Sequence, residues 1–235
     1  MTLRQRLAQP TTLMAPGAYD GLSAHLAAQA GAEAVYMTGF GVSGSTLGRP
    51  DVGLMSATEM ADRTRALAEA AGDVPLIADG DTGHGGVLNV ARMVRLYEQA
   101  GAAAIQIEDQ VFPKRCGHMA GKAVIDAGEA AAKVAAAVAA RDSDDFLIIA
   151  RTDARAVTTL DDALRRGASG HAAGRQYGGG WQDALPRHCH GAGAWVQAGD
   201  ISGFDAACGH PRPAGCLCRD AGGRALARGY SPRHD

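Results

Sequence analysis

Cysteine is almost missing from the body of this chain. Cys116 stands alone in the first two thirds, and the other four of its five cysteines fall after Arg166. An odd number crowded toward one end does not make a disulfide framework. Long apolar runs are missing as well, for no stretch approaches the roughly eighteen apolar residues of a membrane-spanning helix. The opening segment MTLRQRLAQPTTLMAPGAYD has no continuous apolar centre of the kind a secretory signal carries, so the expected location is the cytoplasm. Basic runs are absent and the formal net charge is −2, which argues against nucleic acid or a membrane surface as partner and toward a small ligand. A dinucleotide fingerprint is lacking too, since GAYDGLSA after the first apolar run is no G-x-G-x-x-G. What is present is ordinary globular composition, 46% apolar and 20% charged, sufficient for one sizeable core.

From Leu13 to about Arg166 short apolar runs alternate with longer amphipathic stretches, the pattern of repeated βα units on a parallel sheet. Strands are expected at TLMAPG (12–17), AVYMTG (34–39), PLIAD (75–79), AAIQIED (103–109) and FLIIARTD (146–153). Helices are expected at DGLSAHLAAQAG, SATEMADRTRALAEAAG, NVARMVRLYEQAG and DAGEAAAKVAAAVAAR. Ser56 followed three residues later by Glu59 is a capping box, and the Ala-Gly endings supply C-caps. Five such units fit an open doubly wound sheet or a (β/α)8 barrel. Chemistry-bearing residues at the strand ends favour the barrel, whose strands point their C-terminal ends at one common mouth: Thr38, Asp79 with Asp81, Glu108 with Asp109, and Arg151 with Asp153.

Three acids on consecutive strand ends, Asp79, Asp81 and Glu108, form an all-oxygen set that suits Mg2+ or Mn2+, although each alone reads equally as a cap for the next helix. Arg151 offers a fork for a substrate carboxylate or an ion-pair partner for those acids. Tyr36 and Thr38 precede glycines whose backbone N–H groups can approach an anion, or else end a plain strand before a flexible loop. Cys116 lies in PKRCGHMAGK, a setting too basic and glycine-rich for a buried structural thiol. There the flanking Lys114, Arg115 and His118 would favour a thiolate, and a mobile loop would carry it over a bound substrate.

Taken in order and spacing, AYDGLSA, YMTGFGVS, IADGDTGHG, IEDQVFPKRCGH and IIARTDA resemble the isocitrate lyase / phosphoenolpyruvate mutase superfamily. The resemblance implies a (β/α)8 barrel, a homotetramer in the intact family, and Mg2+-dependent chemistry on 2-oxo or 2-hydroxy carboxylates. It implies a metal site at Asp79, Asp81 and Glu108, a carboxylate cradle at Thr38 and Gly39, and a further site acid at Asp51. It also implies a substrate arginine at Arg151 and the lyase-branch gating loop at Lys114, Cys116 and His118. The expected reaction is retro-aldol cleavage of a 2-methylisocitrate-like or substituted malate-type acid, with Cys116 protonating the carbanion that leaves. A phosphonomutase acting on phosphorus–carbon bonds is the alternative.

After Arg166 the chain changes character. From Gly167 to Asp235 there is no Lys, Glu, Thr, Asn or Met, and no further βα unit is legible. Residues 1–166 therefore read as a partial barrel and 167–235 as a non-family tail. Codons allowed for Arg175–Leu185, shifted by one base, spell G-N-M-V-E-G-G-K-T-P, the motif expected on the family's seventh strand. The same shift through Gly191–Gly203 permits a helix end, a glycine and a buried strand. The tail is accordingly expected to be out of frame, which would leave a catalytically dead remnant. His188, His190, Cys208, Cys216 and Cys218 match no usual zinc spacing, and Trp181 and Trp195 are read as accidents of the tail.

Overall fold

The computed structural model of the chain describes residues 1–116 and 119–167. Five strands, β1 (Gly17–Ala18), β2 (Val35–Met37), β3 (Leu76–Asp79), β4 (Ala104–Glu108) and β5 (Leu147–Arg151), pair in parallel in sequential order. The register sets Tyr36 beside Ile77, Asp79 beside Gln106 and Glu108 beside Arg151. Period-two alternation then sorts the side chains. Val35, Met37, Leu76, Ala78, Ile105, Ile107 and Ile148 join one cluster with helix residues such as Met60, Leu67, Met93 and Val134. Ala34, Tyr36, Ile77, Ala104, Leu147 and Ile149 belong to a second cluster, joined by Leu3, Leu7, Leu13 and Ala15 from the N-terminal segment. The helices that connect the strands thus lie on one face, while among the described residues only the short N-terminal helix packs against the other. A doubly wound sheet would have connecting helices on both, so this is the arc of a (β/α)8 barrel, with the second face inward.

The helices are α1 (Leu3–Leu7), α2 (Gly21–Gln29), α3 (Gly39–Leu47), α4 (Ala57–Ala71), α5 (Val87–Gln99), α6 (Ala127–Ala140) and α7 (Ala154–Val157); residues 160–167 are helical too. In α5 the buried residues Val90, Met93, Val94 and Tyr97 recur at helical spacing and seat the helix on the sheet. Each such aliphatic side chain contributes about 1.5–3 kcal/mol on burial. The Ser56 capping box forms as expected, with Glu59 Oε2 accepting from the Ser56 N–H at 2.8 Å.

Two expectations need correction. TLMAPG pairs as a strand only at Gly17–Ala18, its last residue and the one after it, while Leu13 and Ala15 pack against the inner cluster without ladder bonds. The glycine-rich run after Thr38 is not a flexible loop but helix α3, capped by Thr38, whose Oγ1 accepts from the Gly41 N–H at 3.3 Å, and closed by Gly48 at φ 61°.

Candidate active site

The inward positions at the C-terminal ends of β2 to β5 are Tyr36, Asp79, Gln106, Glu108 and Arg151, and all but Arg151 are buried. Behind β3, Asp81 holds a left-handed backbone (φ 47°), and its N–H donates to Asp79 Oδ1 at 3.0 Å. The Gly39 N–H donates to Asp79 Oδ2 at 3.1 Å. A Cβ at Gly39 would stand 2.7 Å from that oxygen, so only glycine lets the start of α3 come this close. Tyr97, fully buried on α5, donates its hydroxyl to the Asp79 carbonyl at 3.1 Å.

Lys114 enters from the loop after β4 and sets its ammonium 2.6 Å from Asp51 Oδ2 and 2.6 Å from Asp81 Oδ1, with only 4% of its side chain exposed. Burial alone would favour the neutral amine. The charges of Asp81, Asp79, Glu108 and Asp51 outweigh it and hold Lys114 above the ordinary lysine range. The expectation that Lys114 supplies charge to the Cys116 thiol is therefore corrected, because that ammonium is taken up by two carboxylates. Arg115 also turns away, donating to the Ala120 carbonyl at 3.3 Å.

Positive charge remains short. Burial pushes the Glu108 carboxyl up to about 8 against the pull of Arg151, whose Nη1 lies 3.2 Å from Glu108 Oε2. Asp81 is raised by burial and by Asp79, and Asp51 by burial against the pull of Lys114. Glu108 Oε1 is buried with no hydrogen-bond partner among the described residues. Four buried carboxylates, an orphaned carboxylate oxygen and an all-oxygen donor set fit a hard divalent cation. Among the described residues no three His, Cys, Asp or Glu side chains converge at ligand distance.

Tyr36 accepts a hydrogen bond from Gln106 Nε2 at 3.0 Å. Burial and then Asp79 push its hydroxyl well above the ordinary range, so Tyr36 stays a neutral phenol that can donate a hydrogen bond but gives up its proton poorly. Thr38 and Gly39 lie beside the cluster as α3's cap and first residue. Their backbone and side chain are engaged with α3 and Asp79 rather than held open as a cradle. Cys116 is a free, partly exposed thiol. His118, the tail motifs and the cysteines and tryptophans beyond Gly167 lie outside the described residues.

Sequence reasoning missed Gln106, Gln110 and Tyr97, which bond to site residues across 70, 43 and 18 positions, and it gave no role to His84. His84 has a left-handed backbone (φ 54°) and a buried Nε2 with no hydrogen-bond partner among the described residues. The DGDTGHG run around it, with strand-end acids and glycines, was the available signal.

A family model described as phosphoenolpyruvate phosphomutase matches residues 3–176. The chain belongs to this family. The family match begins before Leu13 and runs ten residues past Arg166, so it takes in α1 as well. Among curated family relatives, 2,3-dimethylmalate lyase of Eubacterium barkeri is 51% identical over 73% of this chain and 59% of its own length. The 2-methylisocitrate lyase of Bacillus subtilis (strain 168) is 45% identical over 69% and 53%. A solved structure of phosphonopyruvate hydrolase in complex with oxalate and Mg++ superposes with a TM-score of 0.67 at 38% identity, covering 74% of this chain and 61% of that one. The chain thus spans about half the length of the curated family relatives it matches. No helix among its described residues is long and apolar enough to cross a membrane.

Proposed function

We propose that residues 1–166 carry the metal and substrate face of a Mg2+-dependent carbon–carbon lyase that cleaves a 2-methylisocitrate-like or substituted malate-type acid to a 2-oxo acid and a carboxylate. The observation that carries this reading is the buried acid cluster of Asp51, Asp79, Asp81 and Glu108 around Lys114, with Cys116 two residues further along the same loop. Asp79, Asp81 and Glu108 would hold Mg2+, partly through water. The ion supplies charge stabilisation for oxyanions that develop as the bond breaks.

Arg151 at the rim pairs with a substrate carboxylate, exchanging its contact with Glu108 for the ligand. A base takes the proton of the substrate hydroxyl, the carbonyl of the 2-oxo acid forms as the carbon–carbon bond breaks and leaves its electron pair on the carbon beside the other carboxylate, and the Cys116 thiol protonates that carbanion. Tyr36, held neutral, donates to a substrate oxygen. Lys114 and His118 belong to the same loop and complete the catalytic set. Thr38 and Gly39 offer the carboxylate cradle once substrate competes with Asp79 for the Gly39 N–H. The intact protein is expected to be a homotetramer, in keeping with its superfamily, and its partner is a small carboxylic acid.

The tail 167–235, of which the family match takes in the first ten residues, is read as out of frame. On that reading the chain as it stands would be a catalytically dead remnant, while the lyase reading applies to the restored protein. Resequencing the gene from the codon for Asp161 to that for Phe204 tests this. An insertion or deletion that restores N-M-V-E-G-G-K-T-P supports it, and a confirmed frame whose codons cannot give that motif overturns it.

A second reading, phosphonomutase, is favoured by the description of the family model and by the likeness to phosphonopyruvate hydrolase. Phosphorus NMR of a phosphonate substrate separates it from the lyase, since only a phosphorus–carbon rearrangement moves the phosphorus resonance.

A further inference from the structure

Asp153 stands at the N-cap of α7, where an aspartate ordinarily accepts from its own helix, yet it makes no side-chain cap hydrogen bond. Thr152 Oγ1 performs that task, accepting from the Ala154 N–H at 3.1 Å. The Asp153 carboxylate turns instead toward the loop that carries Cys116. Its Oδ2 accepts from Gln110 Nε2 at 2.8 Å, and its Oδ1 accepts from Lys122 Nζ at 2.9 Å. Arg151 Nη2 lies 3.3 Å from Oδ2. The Asp153 N–H is fixed in turn by Asp109 Oδ1 at 2.9 Å.

Gln110 relays this contact. Its side chain is 1% exposed, and it grips one peptide group on each side of Arg115: Nε2 donates to the Arg115 carbonyl at 3.0 Å, and Oε1 accepts from the Arg115 N–H at 2.9 Å. A carboxylate only accepts, so Asp153 decides which end of the Gln110 amide faces it and leaves Oε1 for Arg115. Arg115 immediately precedes Cys116. Lys122 sits at the loop's other end, just before the backbone stem where the Val111 N–H donates to the Ala123 carbonyl and the Ile125 N–H to the Asp109 carbonyl.

We propose that Asp153 is a positioning residue, a latch that holds the Cys116 loop against the acid cluster through Gln110 and Lys122 and ties it to Arg151. Both ends of the loop and the rim arginine meet on one carboxylate. Movement of Arg151 toward a ligand therefore alters the hold on Cys116. The catalytic meaning of this device rests on the role proposed for Cys116, but its test needs no turnover.

The test is the rate at which iodoacetamide labels Cys116, read on the Cys116 peptide by mass spectrometry in the full chain. Amide exchange in β3 serves as the control for global opening. Asp153→Asn keeps the shape and removes the charge, and Gln110→Leu removes the relay. Each is expected to raise labelling about tenfold, the ratio set by loss of one charge-assisted hydrogen bond. The double variant should label no faster than either alone, whereas two unrelated losses of stability would multiply. Labelling of Asp153→Asn at the parent rate, or a multiplied effect in the double variant, overturns the latch. If Asp153→Asn does not fold, Lys122→Met asks the same question from the loop's outer end: faster labelling supports the latch and an unchanged rate overturns it. These results stand whether or not the chain proves to be a lyase.

Discussion

At the scale of single residues, Lys114 is held by charge rather than by space. Its ammonium is buried between Asp51 and Asp81, and its removal leaves both carboxylates without their cation. Lys114→Met should therefore cost about 3–5 kcal/mol, the usual penalty for stripping one partner from a buried ion pair. Mg2+ should return part of that loss by supplying positive charge. Thermal unfolding with and without the ion checks both points, and an unchanged melting temperature in the variant would contradict the pairing.

Asp153 gives a pH signature. Burial would raise its carboxyl, but Arg151 and the hydrogen bonds from Lys122 and Gln110 outweigh burial and hold it below the ordinary range. A depressed folded-state value means that Asp153 contributes stability above its unfolded value of about 3.9 and loses it as the pH falls through the folded one. The gap in melting temperature between the parent chain and Asp153→Asn should therefore narrow from about pH 6 to about pH 3. A gap independent of pH would mean that the carboxylate does not bear the charge assigned to it.

At the scale of elements, what could be read from the sequence divides along the line between local and distant causes. Helices α4, α5 and α6 announce themselves by apolar spacing, and α4 and α6 also by Ser56 and Asp126 at their starts, whereas α5 begins at Val87, two residues before the expected NVARMVRLYEQAG. The strands β2 to β5 announce themselves as short apolar runs ending in polar residues, and those endings gave the acid cluster as well. Helix α3 was illegible because GFGVSGSTL holds three glycines and several residues of weak helix propensity. It forms because Thr38 caps it, Gly48 closes it, and Val42 is buried beneath it. The grip of Gln110 on Asp153 was illegible for another reason: it joins residues 43 positions apart through one amide, and no spacing rule reports such a contact.

The start of α3 is also where backbone and site are most tightly coupled. Gly39→Ala would drive a methyl group against Asp79 Oδ2. The expected cost is about 1–3 kcal/mol, as for other overpacked positions, together with loss of any Mg2+-dependent rise in melting temperature. Urea unfolding and a Mg2+ titration read the two effects separately. A variant with parent stability and parent Mg2+ response would show that α3 can move away from Asp79 freely.

At the scale of the whole molecule, the described residues supply five strands of an eight-stranded design. β5 pairs only with β4 among them. On the out-of-frame reading no family strand follows β5, and an unpaired edge strand is a template for association with other chains. On that reading the chain should sediment as a broad distribution of aggregates, and the version restored in frame near Arg166 as one defined oligomer. Identical, discrete sedimentation of both would contradict the frame reading. Nothing in the first 166 residues needs revision for that comparison, because the acids, Lys114, Cys116 and Arg151 all precede the proposed change of frame.

The most direct test of the central claim is the release of a 2-oxo acid from 2,3-dimethylmalate and 2-methylisocitrate by the frame-restored protein, alongside its Cys116→Ser and Glu108→Gln variants. Turnover that requires Mg2+, disappears with a chelator, falls by about 10²-fold or more in Cys116→Ser and is lost, or needs far more Mg2+, in Glu108→Gln is the predicted result. Full lyase turnover in Cys116→Ser, or turnover indifferent to Mg2+ in the parent protein, would contradict the account.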